Sequence, residues 1–248
     1  MPPERTFDST PRASDQFCTT HWSVIVLAGE QESPRATEAL EVLCRTYWYP
    51  LYAYLRRQSY SPADAQDLTQ GFFARLLEKS FLDKVDRRKG KFRSFLLASL
   101  NHFLANERDR ARAAKRGGGP IPLSLDEEGA ENRYLQEPAS DLSPEKIFER
   151  QWALAVLVRA LARLREEYFT SSKARHFELL KCFLTNDSSS GAYESVAAQL
   201  NVTPGSVAVT VHRMRQRYRE LVRAEIADTV ASPADIDDEM RALFAALS

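Results

Sequence analysis

The chain has few cysteines and no pattern in which to use them. Cys18, Cys44 and Cys182 are odd in number and far apart, with no CxxC or Cys/His spacing. That argues against a disulfide framework and against a zinc site. The N-terminus lacks the apolar core of a signal peptide, and no uncharged apolar run approaches membrane-spanning length. The expectation is a cytoplasmic protein with no membrane insertion. Alternating β pattern of useful length is also missing, so the expected fold is all-α. Catalytic signatures are missing as well. His21, His102, His176 and His212 form no HxxxH or HExxH pair. Gly117, Gly118 and Gly119 are not followed by the GK[ST] of a phosphate loop, and no serine lies in a GxSxG context. Asp64 and Asp67 are three apart and could share a metal, but no further carboxylate or histidine follows at ligand spacing. Acids at a helix start complement the dipole there. No catalytic residue, metal or cofactor is expected, and the chain does not read as an enzyme.

Net charge is lacking too: 34 basic residues balance 34 acidic ones over 248 residues. The balance hides segregation. Residues 84–116 carry Lys84, Arg87, Arg88, Lys89, Lys91, Arg93, Arg108, Arg110, Arg112, Lys115 and Arg116 against Asp86, Glu107 and Asp109. Residues 126–149 reverse the sign, with eight acids against Arg133 and Lys146. Local sign governs binding, so two basic segments separated by an acidic one are more informative than the total.

Length suits two helical domains. Residues 1–19 form an extension rich in Pro, Ser and charge, expected to be mobile. In the first domain, 20–116, a short helix is expected over 20–28. A second opens at Ser33-Pro34 and runs through Arg57, with Pro50 inside it. A third opens at Ser61-Pro62 and carries Leu68, Phe72, Phe73, Leu76 and Leu77. After the basic turn RRKGK, a long helix starts at Phe92. Phe92, Phe95, Leu96, Ser99, Phe103 and Leu104 make its apolar or small face, and its far half is Asn and Arg. Residues 117–143 read as a flexible acidic linker bounded by Gly and Pro. The second domain, 144–224, opens at Ser143-Pro144. Its stripes are Trp152, Leu154, Leu157, Val158, Leu161 and Leu164, then Phe177, Leu180, Phe183 and Leu184.

The last part of that domain, YESVAAQLNVTPGSVAVTVHRMRQRYRELVR, reads as two helices with a tight break at Asn201-Val202. Thr203 is a good N-cap and Pro204 a good first helical residue. Val207, Val211, Met214, Tyr218 and Leu221 recur at helical spacing and form the packed side. Gly205, Val209, His212, Arg213 and Gln216 fall near the opposite side, which starts small and becomes basic. A major groove accepts a helix tip of this kind. The alternative is a plain helical hairpin with a solvated basic face. In the Phe92 helix, aromatics could stack on unpaired bases, Asn could bond base edges and Arg could neutralise phosphate. Alternatively, Phe92, Phe95 and Phe103 are core. Residues 225–248 form a C-terminal extension. There Ser232-Pro233 caps a short helix with Ile236, Met240, Leu243, Phe244 and Leu247 on one face, a stripe that needs something to pack against.

In this order the features resemble the bacterial sigma-70 family of RNA polymerase subunits, in particular the two-domain extracytoplasmic-function (ECF) group. WYPLYAYLRRQSYSPADAQDLTQGFFARLLEK resembles the family's polymerase-binding segment, with Asp64, Asp67, Leu68 and Gln70 matching a DAEDLxQ run. FRSFLLASLNHFLANERDRARAAKR resembles the segment that melts and reads the −10 element. The two-helix stretch resembles the −35 reader, with Gly205, Val207, His212, Arg213 and Arg215 matching. Ala208 and Thr210 stand where Lys and Arg are common, and 106–108 departs from the usual run.

The resemblance implies core polymerase and promoter DNA as partners, with an anti-sigma factor or other regulator as a further candidate. It implies polymerase contacts at Asp64, Asp67, Gln70 and Arg75. It implies −10 contacts at Lys91, Phe92, Arg93, Asn101, Asn106, Arg108, Arg110 and Arg112. It implies −35 contacts at Thr203, Ser206, Val209, Thr210, His212, Arg213, Gln216 and Arg217. The competing readings are a conventional helix-turn-helix regulator and, further off, a DNA-processing enzyme.

Overall fold

The computed structural model describes residues 34–77, 91–113, 129–137, 141–184, 191–230 and 232–248. The extension expected to be mobile, the short helix at 20–28, the basic turn before Lys91, the triple glycine and most of the 186–191 loop lie outside the described residues. Among the described residues the architecture is helical, and β pairing is limited to one antiparallel bridge between Lys91 and Val230. No helix among them is long and apolar enough to cross a membrane.

The helices are α1 (Pro34–Arg57), α2 (Pro62–Leu77), α3 (Phe92–Ala113), α4 (Ala130–Gln136), α5 (Pro144–Thr170), α6 (Ala174–Leu180), α7 (Ala192–Leu200), α8 (Pro204–Ala227) and α9 (Ile236–Leu247). A single 3-10 turn, Lys181–Leu184, continues α6, and another, Pro233–Asp235, precedes α9. Start signals recur. Ser61, Ser143, Thr203 and Ser232 each accept a hydrogen bond from a backbone N–H two or three residues on, and each is followed by proline. The hydroxyl satisfies an orphan N–H, and proline has none to lose. Stop signals recur too. Ser59, Ser172 and Asn201 adopt positive φ after α1, α5 and α7. Each lets the next N–H reach back to the carbonyl five residues earlier: Tyr60 to Leu55, Lys173 to Tyr168 and Val202 to Ala197. This is the Schellman closure, made here without glycine.

α5 is the central strut. α1 packs along it most extensively, and α8, α9 and α6 also lie against it. This revises the expected stripe. Trp152 and Leu164 are buried, but Leu154, Leu157 and Leu161 are only half-buried and Val158 is exposed. The covered side is instead Ile147, Phe148, Gln151, Trp152, Ala153, Val156, Ala160 and Leu164. Ala153 and Ala160 are small, and small residues let a neighbouring helix approach closely.

Tyr47 of α1 meets Phe92 edge-on at 5.0 Å and lies 6.5 Å from Phe148. The buried residues from Cys44 to Leu243 therefore form one cluster that includes both halves of the chain. The expected division into two domains has no counterpart as a gap in this core.

The flexible linker expected over 117–143 also needs correcting for part of its length, because α4 lies inside it. Glu131 accepts from Arg56 Nε and Nη2, both at 2.9 Å, and from the Tyr52 hydroxyl at 2.6 Å. Arg133 stacks over the Tyr49 ring at 3.6 Å, and Tyr49 also donates to Glu137. Arg56 lies 5.0 Å over the Tyr134 ring. The acidic composition that reads as linker is used here to pair with α1. A second tie joins α1, α5 and α8. Buried Glu225 accepts from Arg159 at 2.7 Å and Arg163 at 2.8 Å, and Arg159 also donates to Thr46 at 2.9 Å. Burial alone would raise the Glu225 carboxyl, but the two guanidinium partners hold it below its ordinary range.

Candidate nucleic-acid interface

α7 and α8 meet at the Asn201 turn. Val196 and Ala197 on α7, and Val207, Val211, Met214 and Leu221 on α8, are buried, and Tyr218 is half-buried with its hydroxyl on the Leu157 carbonyl at 3.0 Å. The packed side therefore follows the sequence spacing. The outer side presents Thr203, Ser206, Val209, His212, Arg213 and Gln216, all exposed. Thr203 Oγ1 caps Ser206 N at 3.2 Å and lies 3.0 Å from the Ser206 hydroxyl. Thr210 is less available, because its hydroxyl turns back to the Ser206 carbonyl at 2.8 Å. Arg217 is exposed but engaged, donating to Glu167 at 2.7 and 3.0 Å and to Glu220 at 2.9 Å. Arg215 holds the Phe183 carbonyl at 2.7 Å, a fold-supporting role. A Cβ on Gly205 would meet nothing closer than Thr203 Oγ1 at 3.9 Å. The fold therefore does not require glycine there, and the tip of α8 stays open to an approaching surface.

α3 divides into two unlike halves. Its far half is outward and polar: Asn101, Asn106, Arg108 and Arg110 are exposed. Asn101 accepts from the Tyr54 hydroxyl at 2.9 Å. Arg108 donates to the Tyr60 hydroxyl at 2.8 Å and lies 5.9 Å from the ring, so an aromatic absent from the expected set accompanies it. Arg110 pairs with Glu107 at 2.8 Å. The Arg112 side chain lies outside the described residues. The near half is inward. Phe92 is buried against Tyr47, which corrects its assignment as a stacking surface for bases: in this conformation no base can reach it. Phe95 and Phe103, half-buried and buried, also side with the core.

Lys91 and Arg93 flank Phe92 and are both occupied. Arg93 donates Nε to Glu239 Oε2 at 2.7 Å and Nη2 to Glu239 Oε1 at 3.0 Å, and Lys91 Nζ sits 2.9 Å from Glu239 Oε1. Arg93 also reaches Glu149 at 3.1 Å and stacks 4.7 Å over the Trp152 ring. The Glu239 side chain is 1% exposed. Burial alone would raise its carboxyl, yet hydrogen bonds from Arg93 and Lys91 hold it below the usual carboxylate range. Sequence reasoning missed Glu239. A signal existed: it lies between Ile236 and Leu243 on the side of α9 that is otherwise apolar, where an acid needs a partner.

On α2, Asp64 and Asp67 are exposed, and Gln70 and Arg75 half-exposed. Asp64 belongs to the helix start, accepting from the Ser61 hydroxyl at 2.7 Å. Asp67 and Gln70 lie one turn apart, clear of the buried Phe72, Phe73 and Leu76.

The described residues are helical apart from one β-bridge, carry outward basic side chains on α3 and α8, and include no metal cluster. Comparison with known proteins adds one relative. ECF RNA polymerase sigma factor SigE of Mycolicibacterium smegmatis is 27% identical over 229 residues, covering 88% of this chain and 77% of the relative. No family model and no solved structure matches the chain. The likeness is to an ECF sigma factor and extends over most of both chains.

Proposed function

We propose that this chain is a sigma factor: a dissociable subunit that binds core RNA polymerase and selects promoters. The observation that carries the reading is the outer side of α8. It is capped, small at its tip and basic behind, while the opposite side packs against α5, α7 and α9. That is the form of a recognition helix in a helix-turn-helix. The SigE likeness over most of the chain supports polymerase rather than a palindromic operator as the context.

In this reading Asp67 and Gln70 on α2 dock on polymerase. The exposed half of α3, with Asn101, Asn106, Arg108 and Arg110, meets the −10 strand. Ser206, Val209, His212, Arg213 and Gln216 meet the −35 duplex. The chain supplies binding energy and selectivity, and the nucleotidyl chemistry belongs to polymerase. Two elements about 25 base pairs apart are separated by roughly 85 Å of duplex. The helices α1–α3 and α5–α8, which share one core in the free chain, therefore part on promoter DNA.

The test is to mix the protein with bacterial core polymerase and a pooled library of bacterial genomic fragments. Co-elution with core, and transcripts that start at defined sites only when the protein is present, are expected. A chain that neither co-elutes nor redirects initiation is not a sigma factor.

A further inference from the structure

Glu239 is an unusual group to bury. α9 is short, and its other acids face elsewhere: Asp237 pairs with Arg223, and Asp238 with Arg241. Glu239 alone enters the protein, and there it meets Lys91 and Arg93. An apolar side chain would fill that position at no desolvation cost, and buried ion pairs are often replaceable in that way without loss of stability. The two cations are also the ones that, on the sigma-type reading, begin the strand-contacting helix. Their donors are arranged as a phosphate would need them: a guanidinium offering two N–H groups to one anion, with an ammonium beside it. A carboxylate fills that place.

We infer that α9 is an intramolecular cover, with the Glu239 carboxylate occupying the anion site of Lys91 and Arg93 that a nucleic-acid phosphate takes when the chain binds DNA. The cover is held where it can compete. Phe92 N–H donates to the Thr229 carbonyl at 3.1 Å, and Lys91 bridges Val230, so the chain leading to α9 is pinned beside the site. Tethering gives the carboxylate a high effective concentration, on the order of millimolar, against any single free phosphate. The cover is also removable. Leu243 is its one fully buried apolar side chain, whereas Phe244 and Leu247 are 61% and 37% exposed. A DNA strand that also engages Arg108 and Arg110 brings several phosphates at once and displaces one carboxylate. The inference rests on the proposed function for the identity of the competing anion. Its effect is to hold back indiscriminate DNA binding by the free subunit.

The full-length chain, the E239Q variant and the R223E variant would be titrated against a fluorescein-labelled single strand of about 20 mixed nucleotides over a salt series. Arg223 is exposed, and its ion-pair partner is Asp237, not Glu239. Its reversal repels Asp237 and loosens the start of α9 without touching the core. E239Q is expected to bind about tenfold more tightly. Its log–log salt slope should steepen by about 0.7, the value for one added phosphate contact on a single strand. R223E is expected to bind a few-fold more tightly although it exchanges a positive charge for a negative one. Adding K91A to E239Q should remove most of the gain. Folded variants whose affinity and slope equal those of the parent, or fall below them, would overturn the inference and leave Glu239 a structural staple. Transcription with core polymerase separates the two ideas. A parent chain that directs initiation while E239Q gains nothing sinks the cover alone. A parent chain that never directs initiation sinks the sigma reading, while an E239Q gain would still establish the cover.

Discussion

Glu225 offers the sharpest stability test, because it ties three helices that sequence reasoning would assign to two domains. Glu225→Gln keeps the shape and removes the charge. The Gln carbonyl can still accept from one arginine, but its NH2 then faces the other. About one charge-assisted hydrogen bond is lost, worth roughly 1.5–3 kcal/mol when fully buried. Glu225 is 5% exposed, whereas Arg159 and Arg163 are 36% and 45% exposed and can turn to water. The low end therefore applies, about 1–2 kcal/mol. For a chain of this size that lowers the unfolding midpoint by about 2–8 °C. The effect carries a pH signature. The carboxyl is held below its ordinary value in the folded state, so its stabilisation is fully present above about pH 4.3 and fades as pH falls through the folded value. Circular dichroism melts of parent and variant from neutral to acid should therefore differ most at neutral pH and converge on acidification. A midpoint difference under about 1 °C at neutral pH, or one that grows on acidification, would refute the reasoning.

Three further outcomes follow from the outward residues. Asp67→Arg should leave the helical circular dichroism unchanged and weaken core polymerase binding more than about tenfold, or about 1.4 kcal/mol, in a pull-down titration. Arg213→Ala should weaken binding to every −35 sequence alike and flatten the salt slope by about one unit, the mark of a phosphate contact. A loss of about 1–3 kcal/mol confined to one base pair in a binding-site selection would make it a base reader instead. Gly205→Ala should raise the melting midpoint slightly, since alanine favours helix by up to about 1 kcal/mol and the fold leaves room for its methyl group. It should also weaken duplex binding if the tip approaches DNA closely, so stability and affinity move in opposite directions.

Local structure was legible in the sequence because its causes are local. Ser61-Pro62, Ser143-Pro144 and Thr203-Pro204 mark three helix starts, and the Val207–Leu221 spacing marks the packed side of α8. What was not legible depends on partners far away in the chain. An acidic run such as that around Glu131 reads as linker until Arg56 and Tyr52 are known to lie opposite it. Phe92 reads as a stacking aromatic until Tyr47 is seen against it. Leu157 and Val158 outrank Ala153 and Ala160 in hydropathy, yet the alanines lie on the side of α5 that is buried. Lys91 and Arg93 carry the right charge for DNA, but nothing near them in sequence announces Glu239, almost 150 residues on. The outer side of α8 from Thr203 to Gln216 was legible because it faces solvent, whereas Arg217 just beyond it is engaged by the distant Glu167.

The central claim is that one chain reads two separate DNA elements in the context of polymerase. Its most direct test is selection of bound sequences from a random duplex library by the protein with core polymerase, and by the protein alone. Two non-identical sequence blocks, with centres about 25 base pairs apart at a fixed spacing, are expected with core polymerase. A single palindromic block recovered equally well without polymerase would mark a dimeric regulator and contradict that claim.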